Sequence, residues 1–324
     1  MKAALCKSFD GPDAIVIEDM ADPIPAAGEV VVRVKAVAMN FLDTLITRGK
    51  YQFKPEFPFS PGAEIAGVIE ALGPGVSGLQ PGQRVCADIG WGGARELVAV
   101  PAEKLIPVPD VVSDDAAAGI SVTYGTAMHG LKTRGRLQPG ETVAVLGAAG
   151  GAGLAAVEIA KAMGAKVIAV ASSADKLEVC RQHGADLLFN YATDDLKQGL
   201  RDLTDGRGVD VVYDCVGGEH SEAALRSIAW LGRFLVIGFA AGTIPKIPLN
   251  LVLLKGCDII GVFLGGAISR DPQAHRANLE TVLKWVAAGE LKPHTHVALS
   301  LVETAAAIKL LDRRVATGKV IVRP

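Results

Sequence analysis

A glycine-rich turn is the feature of this sequence that points most directly to chemistry. The segment at 142–173 reads TVAVLGAAGGAGLAAVEIAKAMGAKVIAVASS, which predicts a strand, a turn, an amphipathic helix and a second strand. Backbone N–H groups in such a turn, together with the positive end of the helix dipole, bind a pyrophosphate. Gly150 and Gly153 occupy the second and third positions of the dinucleotide fingerprint, and Ala148 occupies the first. The placement between strand and helix favours a dinucleotide site over a structural loop.

The end of the second predicted strand distinguishes NAD from NADP, because NAD enzymes place a carboxylate there for the ribose 2′-hydroxyl. Here the position holds Ala171, Ser172 and Ser173, followed by Lys176. Two hydroxyls and a cation suit a 2′-phosphate, so we predict NADPH. Two alternatives stay open. Ser173 could only cap a helix while Lys176 lies in solvent, or Asp175 could bind an NAD ribose, although it falls inside the presumed helix.

The elements that position these residues follow from a change in pattern along the 324-residue chain. The first part has short β-branched runs separated by Gly and Pro, which predict strands between tight turns. The middle part alternates six strand-like runs with helical stretches, which predicts βαβ units and a parallel sheet. We therefore predict an α/β protein with a β-rich domain at 1–117, completed by 264–324, and a doubly wound domain at 118–263. The last elements are predicted as helices at 272–288 and 302–314 and strands at 294–300 and 319–323.

Composition excludes several classes of protein. The formal net charge is −2 and no long run of like charge occurs, so nucleic acid is not an expected partner. Five scattered cysteines form no CxxC pair, which is typical of reduced thiols in the cytoplasm. No export signal precedes Lys7, and the longest uncharged stretch, Thr142 to Val157, is shorter than the roughly 20 apolar residues of a membrane span. We expect a soluble cytoplasmic protein.

Four segments together resemble a known family. They are AAGGAG at 148–153, NYATDDL at 190–196, VDVVYDCVGG at 209–218, and an N-terminal set, VAMNFLD, GKY and PGAEIAGVIEALGPGV, within 37–76. This pattern is similar to the zinc-free medium-chain dehydrogenase/reductases of the quinone oxidoreductase, or zeta-crystallin-like, family. The resemblance covers nearly the whole chain. It implies a GroES-like β-rich catalytic domain, a Rossmann NADP-binding domain and hydride transfer from NADPH to a quinone.

The resemblance also implies a site without zinc. Zinc alcohol dehydrogenases share the architecture, and their three catalytic ligand positions correspond to Asn40, Ala63 and Ala118, which are not zinc ligands. The pair His294 and His296 alternates on one predicted strand with no third ligand nearby, so we interpret both as surface residues. Without a Lewis acid to hold an alkoxide, acceptors that spread negative charge over a conjugated system are favoured.

By the same resemblance, Asn40, Asp43 and Tyr51 belong to the polar rim of the substrate cleft. Asn40 could donate its amide, and Tyr51 its hydroxyl, to an acceptor oxygen. The alternative is that Asn40 and Asp43 only shape a turn or cap a helix. No side chain stands out as an obligatory acid, which leaves water as a candidate proton source.

The resemblance assigns cofactor contacts as well. Gly150, Gly151 and Ala152 are expected beneath the pyrophosphate, and Thr126 is expected near the nicotinamide ribose or amide. The ends of the fifth and sixth strands carry Phe239 and Phe263, which would offer backbone groups to the carboxamide. The residues that match the 2′-phosphate and adenosine surroundings are Ser172, Lys176, Tyr191 and Arg314. Arg314 could instead be only a helix-dipole partner, and Tyr191 only a half-buried strand residue.

Three functions remain open from the sequence. The leading hypothesis is an NADPH:quinone oxidoreductase, and its nearest rival is a reductase of 2-enoyl or enone substrates. A third hypothesis, from a different functional class, is a non-catalytic NADPH-binding protein with a structural or regulatory role. The expected partners are a small conjugated acceptor and a second copy of the chain, because the weakly charged run GCDIIGVFLGG at 256–266 is predicted to form an exposed sheet edge.

Overall fold

The computed structural model describes residues 1–324 and separates them into two units. The first unit comprises Met1–Val122, Leu279–Gly289 and Pro293–Pro324. The second comprises Thr123–Asn278 and Glu290–Lys292. None of the helices combines the length and the apolar character that a membrane crossing requires.

The first unit is built mainly from β-strands. Its elements are β1 (Lys2–Leu5), β2 (Val16–Asp19), β3 (Glu29–Met39), α1 (Phe41–Ile46), β4 (Glu64–Leu72), β5 (Arg84–Asp88), β6 (Leu97–Pro101), β7 (Ile106–Pro107), α2 (Asp114–Ala118), β14 (Thr295–Ser300), α11 (Thr304–Asp312) and β15 (Lys319–Arg323). Seven strands form one sheet in the order β14-β15-β3-β4-β5-β7, with β6 paired to β3, while β1 and β2 form a separate antiparallel ribbon.

Strand β3 organises the first unit because both of its edges are paired along much of its length. It pairs antiparallel with β4 on one side and with β6 and β15 on the other. Its sequence EVVVRVKAVAM is rich in β-branched valines that pack well on a pleated, buried surface. Val30, Val32, Val34 and Val37 belong to one buried cluster with side chains of β4, β5, β15 and α11. The return of the chain end to this sheet agrees with the sequence-based expectation.

The second unit is a parallel α/β sheet. Its elements are α3 (Thr123–Met128), β8 (Thr142–Leu146), α4 (Gly151–Ala162), β9 (Lys166–Ala171), α5 (Ala174–Gln182), β10 (Leu187–Asn190), α6 (Leu196–Asp202), β11 (Val209–Asp214), α7 (Glu219–Arg226), β12 (Ile228–Val236), α8 (Leu249–Lys255), β13 (Asp258–Gly261) and α9 (Leu264–Ile268). Helix α10 (Pro272–Ala287) follows and continues into the first unit.

The strand order of this sheet is β10-β9-β8-β11-β12-β13, and every neighbouring pair is parallel. Numbered within the unit, this is the order 3-2-1-4-5-6 of a Rossmann fold. The direction of the order reverses between β8 and β11, so the crevice for a ligand is expected at the carboxyl ends of these two strands. All six strands predicted from the sequence are present.

Two segments differ from their sequence-based description. The run at 256–266 is not one strand: β13 ends at Gly261, and the Phe263 carbonyl accepts a hydrogen bond from Ala267 N as α9 begins. The segment 264–278, placed from sequence with the β-rich domain, is grouped with the second unit. Here Leu264 and His275 line a small cavity together with His129, which precedes the sheet.

Candidate active site

The glycine-rich turn connects the buried carboxyl end of β8 to the amino end of α4. Gly147 has a φ of +72°, a conformation that side chains disfavour, and it allows the chain to turn sharply after the strand. At Gly153 a Cβ atom would lie 2.2 Å from the Gly147 carbonyl oxygen. The third fingerprint glycine is therefore required by close contact between helix and turn.

Gly150, the residue before α4, is glycine for a different reason. Its φ is −74°, which any residue adopts, and a Cβ atom would meet nothing nearer than 3.5 Å. Neither the backbone conformation nor the packing around Gly150 excludes a side chain. The space that such a side chain would fill is therefore open at the N-terminus of α4. A pyrophosphate fits this space, because the unpaired N–H groups of the first helical turn, from Gly151 and Ala152 onward, bind anions there.

The end of β9 brings the predicted phosphate-binding residues together. Lys176 Nζ lies 3.4 Å from Ser172 Oγ, and both side chains are partly exposed. Ser173 caps α5, since its hydroxyl accepts a hydrogen bond from Lys176 N. Asp175 lies in the first turn of α5 and is exposed. A cation and two hydroxyls thus surround the strand end without a carboxylate on the strand itself.

Tyr191 lies beside this group because β10 pairs with β9. Asn190 is in register with Ala171, and Tyr191 N donates to the Ala171 carbonyl oxygen. The Tyr191 ring lies 4.4 Å from the ring of His220 in α7, measured between centroids. Tyr191 also packs partly against the core of the second unit. It is therefore a half-buried residue that also lies beside Ser172.

The loop after β11 is held by a buried carboxylate that the sequence analysis missed. Asp214 accepts hydrogen bonds from Val216 N (2.8 Å), Gly217 N (2.9 Å) and the Ser221 hydroxyl (2.6 Å). Its backbone oxygen accepts from Ile237 N, which follows β12. Asp214 therefore shapes two loops at the carboxyl edge of the sheet. An Asp that ends a predicted strand just before CVGG was the available signal.

The other predicted cofactor residues lie at separate places. Thr126 is in α3. Phe239 follows β12, and a Cβ atom at Gly217 would lie 2.9 Å from its ring. Phe263 follows β13 with its side chain about half exposed. Arg314 belongs to the first unit, where it follows α11 with a φ of +55°. That left-handed position, with Arg314 N donating to Leu311 O, is typical of a helix C-terminus.

In the first unit, Asn40 belongs to a buried polar cluster. Its Nδ2 donates to the Ala38 carbonyl and to Glu64 Oε1, at 3.1 and 3.0 Å, and its Oδ1 accepts from Lys319 Nζ at 2.6 Å. Lys319 Nζ also lies 2.6 Å from Glu64 Oε1, and the Lys319 and Glu64 side chains are only 5% and 0% exposed. Val122 N donates to the other Glu64 oxygen.

Asp43 is buried beneath this cluster and stabilises the chain around it. Its Oδ2 accepts from Asn40 N as part of a capping box at the start of α1, and its Oδ1 accepts from Gly62 N, both at 2.8 Å. Burial raises the pKa of Asp43 to about 6, although these two N–H donors oppose the shift. Tyr51 is partly buried, and burial followed by the charges of Asp88 and Asp43 raises the pKa of its hydroxyl.

Comparison with known proteins agrees with this architecture. Residues 26–110 match the alcohol dehydrogenase GroES-like domain, and residues 151–288 match the zinc-binding dehydrogenase family. The chain is 38% identical to the quinone oxidoreductase-like protein 2 homolog of Nematostella vectensis, over 99% of this chain and 88% of that protein. The chain belongs to the quinone oxidoreductase family of medium-chain dehydrogenases/reductases.

Solved structures of the family support the same fold. The Escherichia coli quinone oxidoreductase complexed with NADPH has a TM-score of 0.90 and 28% identity, with all of both chains covered. The enoyl reductase CurK has a TM-score of 0.89 and 29% identity, with 99% of both chains covered. The GroES-like and Rossmann domains expected from the sequence are therefore confirmed.

By the family resemblance, Asn40 lies at one of the zinc-ligand positions of the zinc alcohol dehydrogenases. Asn40, at one ligand position, is hydrogen-bonded to Glu64 and Lys319. No group of three or more His, Cys, Asp or Glu side chains is placed to hold a metal ion. His294 and His296 both lie within hydrogen-bonding distance of the Thr317 hydroxyl. Activity without a metal stays a prediction.

The structure contradicts one predicted role within this family site. Both amide hydrogens of Asn40 are used by Ala38 O and Glu64 Oε1, so the amide has none left to donate to an acceptor oxygen. The alternative, in which Asn40 and Asp43 form a helix cap, describes their observed contacts. Glu64 and Lys319, which hold Asn40, were missed because their partners are distant in sequence.

Proposed function

We propose that this chain reduces quinones with NADPH by direct hydride transfer and without a metal ion. The observation that carries the proposal is the space at Gly150, which no feature of the protein explains and which a pyrophosphate would fill. It lies where the strand order of the Rossmann sheet reverses, and the chain is 38% identical to a quinone oxidoreductase-like protein. The E. coli quinone oxidoreductase bound to NADPH supports the same cofactor.

The proposed cofactor contacts follow the carboxyl edge of the sheet. Gly150, Gly151 and Ala152 would bind the pyrophosphate through backbone N–H groups, and Ser172, Ser173 and Lys176 would bind the 2′-phosphate. When bound, the nicotinamide supplies the hydride from its C4 position. The remaining proposed contacts are Thr126, Tyr191, Phe239, Phe263 and Arg314.

The proposed substrate side is the polar group at Asn40, Asp43 and Tyr51. Tyr51 is the member that donates, because its hydroxyl has no protein acceptor in the structure, whereas the Asn40 amide is fully used. Asp43 supports the site through the backbone of Asn40 and Gly62. A hydroxyl donor without a metal stabilises charge that is already spread over a conjugated acceptor better than the localised charge of an alkoxide.

A second candidate is the reduction of 2-enoyl or enone substrates, favoured by the similarity to CurK enoyl reductase along the whole chain. The experiment is a steady-state screen of benzoquinones, enones and enoyl thioesters with NADPH. We expect the highest kcat/KM with a quinone. A higher value with an enoyl thioester would establish the second candidate instead. Tight NADPH binding without turnover of any acceptor would contradict both and favour a non-catalytic NADPH-binding role.

We also propose that the protein is a homodimer in the cytoplasm. Its substrate partner would be a small-molecule acceptor. None of the five cysteines forms a disulfide bond, as expected for a reducing compartment. Strand β13 ends the strand order of the sheet, so one of its edges is unpaired and available to a second copy.

A further inference from the structure

Aromatic side chains are concentrated in the segment that follows α1. Residues 49–59 read GKYQFKPEFPF, so four aromatic rings lie in one short stretch of a chain with nine phenylalanines and four tyrosines. They are Tyr51, Phe53, Phe57 and Phe59. Aromatic rings offer a large apolar area on a side chain with few rotatable bonds. A concentration of them therefore suits contact with an apolar ligand.

The rings of this segment contact one another and a ring from the start of the chain. The ring centroids of Tyr51 and Phe53 are 5.9 Å apart. Those of Phe57 and Phe59 are 5.8 Å apart, and the Phe9 centroid lies 4.5 Å from that of Phe57. All three distances are typical of aromatic pairs in contact. We call this set the aromatic face, and it comprises Phe9, Tyr51, Phe53, Phe57 and Phe59.

The inner part of the aromatic face is fixed to the end of β1. Phe59 is 3% exposed, its N–H donates to the Cys6 carbonyl at 3.2 Å, and its carbonyl accepts from Cys6 N at 2.7 Å. Tyr51 and Phe9 both pack against the buried cluster that contains Phe59. The two groups of rings therefore share one rigid support.

The outer part of the aromatic face is open to solvent. Phe53 is 49% exposed and Phe57 is 44% exposed, whereas only one other of the nine phenylalanines, Phe263, is classed with them as exposed. Contact with an apolar group would remove this area from water, which is favourable. Neighbouring exposed rings, unlike a single scattered one, are typical of a surface that binds a ligand or a partner.

Tyr51 connects the aromatic face to the proposed substrate side. Its hydroxyl is the proposed donor to the acceptor oxygen, and its ring contacts the exposed ring of Phe53. An acceptor bound by that hydroxyl therefore lies within reach of Phe53. The homodimer proposed above pairs strands of the second unit, so it does not account for this face of the first unit.

We propose that the aromatic face binds an apolar chain carried by the acceptor. This inference rests on the proposed NADPH-dependent reduction and narrows its substrate class to conjugated acceptors with an extended apolar substituent. The Tyr51 hydroxyl binds the acceptor oxygen, and the substituent lies along the rings of Phe53 and Phe57. The contact lies away from the reacting atoms, so its binding energy raises kcat/KM for substituted acceptors over unsubstituted ones.

The test compares the kcat/KM of benzoquinone with that of 2-hexylbenzoquinone at saturating NADPH. Full burial of one methylene corresponds to about a fourfold gain, and contact on an open face to about twofold. The hexyl compound should therefore exceed benzoquinone roughly 50-fold in the wild type. Phe53→Ala and Phe57→Ala should each lower this ratio about fivefold. Because both acceptors are measured on the same protein, a loss of folded enzyme cancels in the ratio.

Enoyl thioesters of four and ten carbons distinguish the two sources of an apolar chain. A chain-length dependence in the quinone series assigns the face to an alkyl or isoprenoid substituent of a quinone. A dependence confined to the thioester series assigns it to an acyl chain. Both results support the aromatic face as the binding surface, provided that Phe53→Ala and Phe57→Ala reduce the dependence.

Ile24→Ala is the matched control, because it removes an apolar side chain of the same unit that is 89% exposed, and it should keep the wild-type ratio. A wild-type ratio near one in both series would overturn the inference while leaving the proposed function intact. The wild-type ratio in both Phe53→Ala and Phe57→Ala would do the same. If Phe57→Ala turned a dimer into a monomer without changing the ratio, the face would bind a second copy and the inference would be wrong.

Saturation-transfer NMR with 2-hexylhydroquinone gives a readout that does not require turnover. The terminal methyl group of the hexyl chain should receive saturation from the wild type and from Ile24→Ala, and clearly less from Phe53→Ala. No transfer to that methyl group in the wild type would overturn the inference whether or not the enzyme is active. A wild type that shows the transfer but reduces no conjugated acceptor would contradict the proposed function and retain the face only as a site for apolar ligands.

Discussion

At the scale of single residues, the account depends on two lysines whose surroundings differ. They are Lys176 beside Ser172 and Lys319 beside Glu64. The first pair is partly exposed and lies where a ligand phosphate is proposed. The second is buried and neutralised within the protein. Removal of the lysine should therefore affect cofactor binding in one case and folding stability in the other.

Lys176→Ala should raise the KM for NADPH by about ten to a hundredfold, because a charge-assisted hydrogen bond to phosphate contributes roughly 1.5 to 3 kcal/mol. Exposure of the site to solvent favours the lower end of that range. The KM for NADH and both kcat values should change little, since the contact is equal in ground and transition states. Steady-state kinetics with both cofactors measure this. Lys166→Ala, at the opposite end of β9, is the control, and an equal loss for NADH would contradict the assignment.

Lys319→Met should lower the free energy of unfolding by about 3 to 5 kcal/mol, because Glu64 would remain buried without a cation. Urea denaturation measures the change. The double variant Lys319→Met with Glu64→Gln should recover part of the loss, since the uncompensated charge is gone. A loss below about 1 kcal/mol for the single variant would show that Glu64 is neutral or solvated in the folded protein.

At the scale of elements, the turn from β8 to α4 contains glycines with two different roles. Gly153 is required by packing, whereas Gly150 leaves space for a ligand. Helix α4 is held by Glu158, whose carboxylate accepts from the Tyr124 hydroxyl at 2.6 Å and lies 2.6 Å from His183 Nδ1. Lys292 N donates to the same group. Because the helix is fixed in this way, its N-terminus is a preorganised anion site.

Gly150→Ala and Gly153→Ala should therefore have opposite consequences. The Gly150 variant should unfold within about 1 kcal/mol of wild type, since a Cβ there would meet the Gly147 carbonyl oxygen only at an ordinary contact distance of 3.5 Å, but it should bind NADPH at least tenfold more weakly. The Gly153 variant should be destabilised by roughly 1 to 3 kcal/mol, because its Cβ would overlap the Gly147 carbonyl. Denaturation and fluorescence titration with NADPH measure both. Equal cofactor affinity in Gly150→Ala and wild type would contradict a pyrophosphate at this turn.

Local patterns in the sequence predicted the unit formed by β8, α4 and β9 well, but they predicted the contacts of Asn40 poorly. The strands, the turn and the end of β9 depend on residues within one βαβ unit, so spacing alone brings Ser172 and Lys176 together. Asn40 depends instead on Glu64 and on Lys319, which is 279 residues away. Periodicity carries no information on such distant pairs. The hydrogen bonds that use both Asn40 amide protons could therefore not be predicted.

At the scale of the whole molecule, the proposal includes association through the second unit. The β13 edge of the sheet is short, and Ile259 on it is 38% exposed. An unpaired, weakly charged strand edge is a template for pairing with another chain. A two-fold axis would allow the same edge of a second copy to pair with it.

Ile259→Lys should convert a dimer into a monomer, because a charge on the edge strand opposes pairing. Sedimentation at micromolar concentration measures the change, and Lys166→Ala serves again as a surface control. The expected wild-type species is the dimer. A wild type that sediments only as a monomer would contradict association through this edge.

The central claim is metal-free, NADPH-dependent reduction of a conjugated acceptor. The most direct measurement is the initial rate of cofactor oxidation by protein that has been dialysed against a chelator and checked by elemental analysis. Benzoquinone is the acceptor, and NADPH and NADH are compared side by side. The account predicts full activity without stoichiometric zinc and a kcat/KM about ten to a hundredfold higher with NADPH. Activity that is lost with a bound metal ion, or equal use of NADH, would contradict it.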